Sequence, residues 1–284
     1  MKKLTLLATT ILLSTTSFAA TRLNVDGAVQ TETIRIASYN IMASRMGDTV
    51  AIRDAIKEIN ADIIGLQEVD NKTGRSGKNF SSKGVEPINQ AEYFAKELNM
   101  HFAFCQAIEF DGGSYGHAIL SKYPVKTIKT VQLPNKDNKE QRVACAVEVD
   151  VPNYPAPIIA VTAHLDHTDT DLRLAQVRAL NGNFSAWDFE HGTPVVIGDL
   201  NLPTQSNEYF ELQQWFKETD KDLQLTAPAW NPDRKIDYIM TSTAQEWDIE
   251  NVEIPKPTAT VSGKAWYEIS DHLPVIVDMK LTEK

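Results

Sequence analysis

Positive charge is scarce in this sequence. Its 28 Lys and Arg are outnumbered by 38 Asp and Glu, giving a formal net charge of −10 over 284 residues. A protein that holds nucleic acid non-specifically draws its affinity from many Lys/Arg–phosphate contacts, and no basic stripe of that kind is present. The balance disfavours tight passive binding to DNA, while leaving room for an enzyme whose metal neutralises one phosphate. Cysteine is rarer still, with two residues, so soft metal ligands are few. Beyond the first twenty residues no stretch is long and apolar enough to be a transmembrane helix. Internal repeats, low-complexity linkers and breaks in composition are missing too. What remains is a chain with 42% hydrophobic and 23% charged residues, which is ample material for a packed core.

The first stretch is set apart from the rest. Lys2 and Lys3 form a positive segment, Leu4 to Leu13 an apolar run, and Ser17-Phe18-Ala19 places small residues where a signal peptidase reads. The expectation is a signal peptide over residues 1–19 and an exported protein, periplasmic or secreted; a retained membrane anchor is the alternative. Residues 20–284 form one domain, expected to act as a monomer. Export gives the cysteines a choice. Cys105 and Cys145 sit in strand-like runs, and the reading is two buried inert thiols, with a disulfide as the alternative that an oxidising compartment permits.

Segments alternate in type along the chain. Ile34 to Ile41 reads as a strand and Thr49 to Asn60 as a helix with Ile52, Ile56 and Ile59 on one face. Ile63 to Gln67 is a short apolar strand, and Asp70 to Pro87 a polar loop before a helix carrying Phe94 and Leu98. Strand-like runs follow at Phe102 to Ile108, His117 to Leu120, Val143 to Val151 and Ile158 to Ala163. A helix from Asp169 comes next, then a strand at Val195 to Gly198 and a helix near Glu208 to Phe216. Ile236 to Thr241, Trp247 to Ile254 and Val275 to Met279 read as strands. One α/β domain of two packed sheets with outer helices fits this order.

Polar residues end or interrupt these apolar runs. Ser38-Tyr39-Asn40 follows Ile34-Arg35-Ile36, Gln67-Glu68 follows Ile63-Ile64-Gly65-Leu66, and His164 follows Val161-Thr162-Ala163. Asp199-Leu200-Asn201 follows Val195-Val196-Ile197-Gly198, Asp237 lies within Lys235-Ile236-Asp237-Tyr238-Ile239, and Ser270-Asp271-His272 precedes Leu273-Pro274-Val275. One such end is unremarkable. Half a dozen, each bearing Asn, Asp, Glu or His, suggest convergence on one rim, where strands hold side chains rigidly. Carboxylate and amide oxygens suit Mg²⁺ or Mn²⁺ rather than Zn²⁺, and a hard cation polarises a phosphoryl oxygen. Histidines accept or donate protons near neutral pH. Such parts describe in-line attack of water on a phosphate ester.

In this order the motifs resemble those of the endonuclease/exonuclease/phosphatase superfamily, to which deoxyribonuclease I belongs, from Ile34 to Met279. The resemblance implies a four-layered α/β/β/α sandwich of two packed mixed β-sheets, with the site at one edge. By position Glu68 looks like the principal metal ligand, with Asn40 and Asp271 nearby on the metal or its waters. Asp199 and Asn201 resemble the pair that orients the attacking water and phosphoryl oxygens. Asp237 and His272 look like a dyad serving as base or transition-state stabiliser, and His164 like the histidine that contacts the scissile phosphate or assists the leaving group. The number of metals stays open.

Further residues carry two readings each. Tyr115 and Arg142 are candidate phosphate contacts, with a packed tyrosine and a surface ion pair as the alternatives. His117 stands where the superfamily often has Asn; it is a candidate substrate contact, but a satisfied structural histidine is favoured. Asp166 either reaches substrate or shapes the turn, and Arg173 and Gln176 are read as structural. The Asp70 to Pro87 loop, with Lys72, Arg75, Lys78 and Lys83, either embraces an anionic substrate or is a solvated loop. Trp230, Trp266 and Tyr267 either stack on a base or sugar, touch a lipid, or simply pack. A small soluble or lipid-headgroup phosphate ester is the favoured substrate, nucleic acid the less favoured one. An exported nuclease is therefore the runner-up, and a catalytically inactive phosphate-ligand-binding module the reading from outside the enzymes.

Overall fold

A computed structural model describes residues 29–185 and 192–283; residues 1–28, where the expected signal peptide falls, lie outside them. Two sheets stack face to face. The first runs, edge to edge, through Val29–Gln30, Val275–Glu283, Ile34–Asn40, Ile63–Asn71, Gly113–Ser121 and His101–Phe110, with Trp247–Glu253 also paired to Val275–Glu283. The second runs through Phe216–Glu218, Asp237–Ser242, Thr193–Asp199, Ile158–His164, Val143–Val149 and Val125–Gln132. Both are mixed: Ile34–Asn40 lies parallel to Ile63–Asn71, and Ile158–His164 parallel to Thr193–Asp199.

Three apolar layers follow from the two-residue period of these strands. Ile34 and Ile36 face the other sheet, while Ala37 and Tyr39 face the helices Asp48–Ile59 and Gln90–Leu98. On the second sheet Ile158, Ala160, Val195 and Ile197 point inward, and Ile159, Val161 and Val196 point to the helices Thr170–Phe184 and Asn207–Gln213. Each fully buried Ile or Val of these strands contributes roughly 1.5–3 kcal/mol of apolar burial. The result is the helix–sheet–sheet–helix sandwich expected from the sequence. At Gly65 the sheets approach closely, since a Cβ there would stand 2.6 Å from Ile197 Cγ2.

Three sequence expectations change. Cys105, on the first sheet, and Cys145, on the second, form a disulfide with a Cα–Cα distance of 6.1 Å; they are not free thiols. Sequence placed both in strands but gave no sign that those strands face each other. The Asp70 to Pro87 segment is not a bare loop. It contains the helix Gly74–Lys78, whose first turn is capped by Thr73 Oγ1 accepting from Ser76 N–H. Finally, the edge strand Val125–Gln132 escaped the sequence reading because lysines and threonines interrupt its apolar residues. Among the described residues no helix is long and apolar enough to cross a membrane.

Candidate active site

Strand register assembles the second sheet's half of the site. His164 ends one strand and Asp199 ends its parallel neighbour, directly opposite it. Asp237 begins the next strand, again paired with Asp199. Three chemically active side chains therefore stand in a row across three strands. All are buried, with Asp237 at 0% exposure.

The first sheet supplies Asn40 and Glu68 from adjacent parallel strands. A bulge between Leu66 and Val69 breaks the pairing with Gly113–Ser121, and Glu68 takes a left-handed φ of 57° there. Bulges redirect side chains, and a non-glycine residue at positive φ stores strain that packing must sustain. Asp271 and His272 arrive on the loop before Val275–Glu283. Ser270 Oγ donates to the Asn40 carbonyl at 2.7 Å, and Ala229 N–H donates to the Asp271 carbonyl at 2.7 Å, so this loop is pinned on both sides.

The side chains meet. His272 Nδ1 lies 2.9 Å from Asp237 Oδ2, and its Nε2 lies 3.6 Å from Asp199 Oδ2. That same Asp199 oxygen is 3.3 Å from His164 Nε2 and accepts from Asn40 Nδ2 at 3.1 Å. Asn40 Nδ2 also donates to Glu68 Oε1 at 3.3 Å, while its Oδ1 accepts from Met42 N–H. The amide thus turns its nitrogen to the carboxylates. Asn201, at φ 50°, donates its N–H to Asp199 Oδ1 and its Nδ2 to the Leu165 carbonyl.

Electrostatics divide the histidines. Burial opposes the charge on His272, but Asp237, Asp199 and Asp271 outweigh it and raise the imidazole to about 10. Burial, aided by the Arg142 cation, holds His164 well below its ordinary value. Burial first, with Asp237 and Glu68 adding to it against the opposing His272, raises Asp199 to about 7. Asp271 is raised by burial, with the Glu68 charge contributing. Asp199, Asp237 and His272 are close enough to suit a metal ion geometrically. The 2.9 Å contact between His272 Nδ1 and Asp237 Oδ2 also makes this trio a hydrogen-bonded acid–base cluster. Glu68 and Asp271, which repel each other across the cavity, form the hard-oxygen set that fits a divalent cation.

These residues line one cavity of about 540 Å³. Of the sequence candidates, Glu68, His164, Asp199, Asn201, Asp271, His272, Tyr115 and Arg142 all border it. Asn40 and Asp237 support it from behind. Arg142 is buried and pairs with Glu140 at 3.3 Å. His117 is not satisfied, contrary to expectation: it is buried, neither ring nitrogen has a partner, and its ring centroid lies 6.2 Å from that of His164. Asp166 shapes the turn, accepting from Thr168 N–H and Asp169 N–H. Arg173 pairs with buried Glu208, and Gln176 accepts from Asp166 N–H. Trp266 is core, edge-on to Tyr39 at 6.1 Å, whereas Trp230 is 57% exposed on the cavity rim.

A family model described as the endonuclease/exonuclease/phosphatase family matches residues 37–272, a span that contains every residue of this cavity. The chain belongs to that family. Its members hydrolyse phosphate esters. The uncharacterized protein YbhP of Escherichia coli strain K12 is 24% identical over 246 residues, covering 81% of this chain and 87% of that protein. Among solved structures, an endonuclease/exonuclease/phosphatase from Beutenbergia cavernae superimposes with a TM-score of 0.66 at 20% identity, covering 88% of this chain and 72% of that one. A Bacteroides thetaiotaomicron mannosyl-6-phosphatase does so at 0.64 and 14% identity, covering 87% and 99%. At these identities the likeness is one of fold.

Sequence reasoning missed part of this family member's cavity. Arg45, Glu140 and Arg234 line it without having been singled out for it, whereas His167, read with Asp166 as able to reach substrate, does border it. Arg234 alone had a signal, standing three residues before Asp237. Arg75 was noted only as one charge of a loop.

Proposed function

We propose that this protein is an exported, divalent-metal-dependent hydrolase of phosphate esters, acting as a monomer on a small soluble or headgroup phosphate. One arrangement carries the reading: a carboxylate pair suited to a hard cation and a buried Asp–His–Asp cluster open onto the same cavity. Its volume of about 540 Å³ lies in the range of small-molecule sites. The mannosyl-6-phosphatase among its structural neighbours acts on a small phosphate ester. The Cys105–Cys145 disulfide supports export, since such bonds persist in oxidising compartments.

The residues divide the chemistry. Glu68 and Asp271 would hold Mg²⁺ or Mn²⁺, with Asn40 steadying Glu68; when bound, the cation supplies positive charge to the phosphoryl oxygens. Asp199, raised to about 7, accepts the proton of an attacking water, with Asn201 fixing the carboxylate through its N–H. Asp237 keeps His272 protonated, and that cation stabilises charge developing at phosphorus. Neutral His164 donates a hydrogen bond to the phosphate from Nε2. The test is hydrolysis of bis(p-nitrophenyl) phosphate and p-nitrophenyl phosphate with and without Mg²⁺ or Mn²⁺. Metal-dependent turnover of either is the expected result; none with any divalent cation would sink the reading.

A further inference from the structure

The long basic side chains of the cavity are of one kind. The chain contains nine arginines and nineteen lysines. Arg45, Arg75, Arg142 and Arg234 line the cavity, and among the described residues no lysine lines it. Arginine offers a planar fork that matches the oxygens of phosphate or carboxylate, which the ammonium of lysine does not. Each of the four already pairs with one carboxylate: Glu68, Asp70, Glu140 and Asp233 respectively. A guanidinium has five N–H donors, so donors remain.

Arg75 and Arg142 belong to one wall. Arg75 is locked by two bonds of 2.8 Å to buried Asp70 and lies over the Phe110 ring at 4.4 Å. It also stands 5.3 Å from the Tyr115 ring. Tyr115 and Arg142 line the same cavity as Arg75. Arg142 is 6% exposed and its Nε has no partner. A buried, unpaired, charged donor bordering a cavity is costly unless something enters to meet it. Arg142 and His164 border the same cavity, so the wall shares it with the histidine assigned to the scissile phosphate.

We infer that the Arg75–Tyr115–Arg142 wall is a second anion subsite. The substrate is then a small phosphate ester bearing another anionic group, phosphate or carboxylate, near the phosphate that is cleaved. This rests on the hydrolase reading above and narrows it: a simple monophosphate leaves the wall unused.

The experiment uses the purified protein with Mg²⁺ and three flexible probe sets. These are alkanediol bisphosphates with three to six carbons, phosphorylated hydroxycarboxylates of the same lengths, and monophosphates of the parent diols. At least one doubly anionic probe should exceed its monophosphate in kcat/KM by about thirtyfold, mostly through KM, the size expected of one or two charge-assisted hydrogen bonds. The better set identifies the second group. In Arg142→Gln and, independently, Arg75→Lys the preference should shrink to about threefold or less. Lysine replaces Arg75 because a neutral residue would strand the buried charge of Asp70. Equal kcat/KM across all probes, with the monophosphates turned over, overturns the subsite and leaves the hydrolase intact. A preference that survives both variants overturns its assignment to this wall. No hydrolysis of any probe or of p-nitrophenyl phosphate removes both readings together.

Discussion

His272 donates from Nδ1 to Asp237 Oδ2 across 2.9 Å, and the pair is buried. Asp237 fixes the tautomer and charge of the imidazole, and the strand that starts at Asp237 fixes the carboxylate. Replacing Asp237 by Asn keeps the shape and removes the charge. The expected outcome is a fall in kcat of about 10³-fold with KM nearly unchanged, the scale of losing a positioned charge-stabilising group. Steady-state kinetics on p-nitrophenyl esters measure it; a loss below about tenfold would take the dyad out of the mechanism.

Glu68 and Asp271 face the same cavity with only Arg45 paired to Glu68, at 3.3 Å. A divalent cation should relieve their repulsion and stabilise the fold by mass action. Adding Mg²⁺ or Mn²⁺ at about a hundred times Kd should raise stability by about 2.7 kcal/mol, read as a shift in Tm. Chelation should abolish turnover. In Glu68→Gln the Tm shift and turnover at limiting Mg²⁺ should both fall sharply. An unchanged shift would place the cation elsewhere.

His117 has two buried nitrogens and no partner for either. Burial, reinforced by Arg142, lowers its pKa to about 3, which keeps the ring neutral. An unpartnered buried polar group costs roughly 1–3 kcal/mol. His117→Leu, similar in volume, should therefore raise unfolding free energy by about 1 kcal/mol in urea titrations. Destabilisation by a comparable amount would reveal that the imidazole is bonded, through an ordered water for example.

The Cys105–Cys145 bond closes a loop with a sequence separation of 40. Loop entropy alone gives a stabilisation of about 4 kcal/mol. Paired substitution of both cysteines by Ala should lower the urea midpoint accordingly and, by loosening the two sheets that carry the site, lower kcat severalfold. Equal stability with and without reductant would contradict it.

Much of the fold was legible because apolar strands alternate with periodic helices, and strands such as Thr193–Asp199 stop at residues that only chemistry explains. The convergence of the candidate site was legible for the same reason: Asp199 and His164 end apolar runs that could gain nothing from a polar terminus. What stayed hidden depends on contacts across the chain. Arg45, Arg75 and Arg234 sit in ordinary polar surroundings in sequence, and only folding brings them to one cavity with Arg142. His117 was misjudged because a sequence signals burial but not the lack of a bonding partner. The disulfide was missed because its two strands belong to different sheets.

That disulfide has a bearing on the reaction itself. Asn40 and Glu68 ride on one sheet, while His164, Asp199 and Asp237 ride on the other, so the reaction centre straddles a seam. A sliding of the two slabs by one ångström would part Asn40 and Glu68 from His164, Asp199 and Asp237 without unfolding anything. The covalent rivet across the seam resists that slippage and so keeps the two halves of the machinery in alignment.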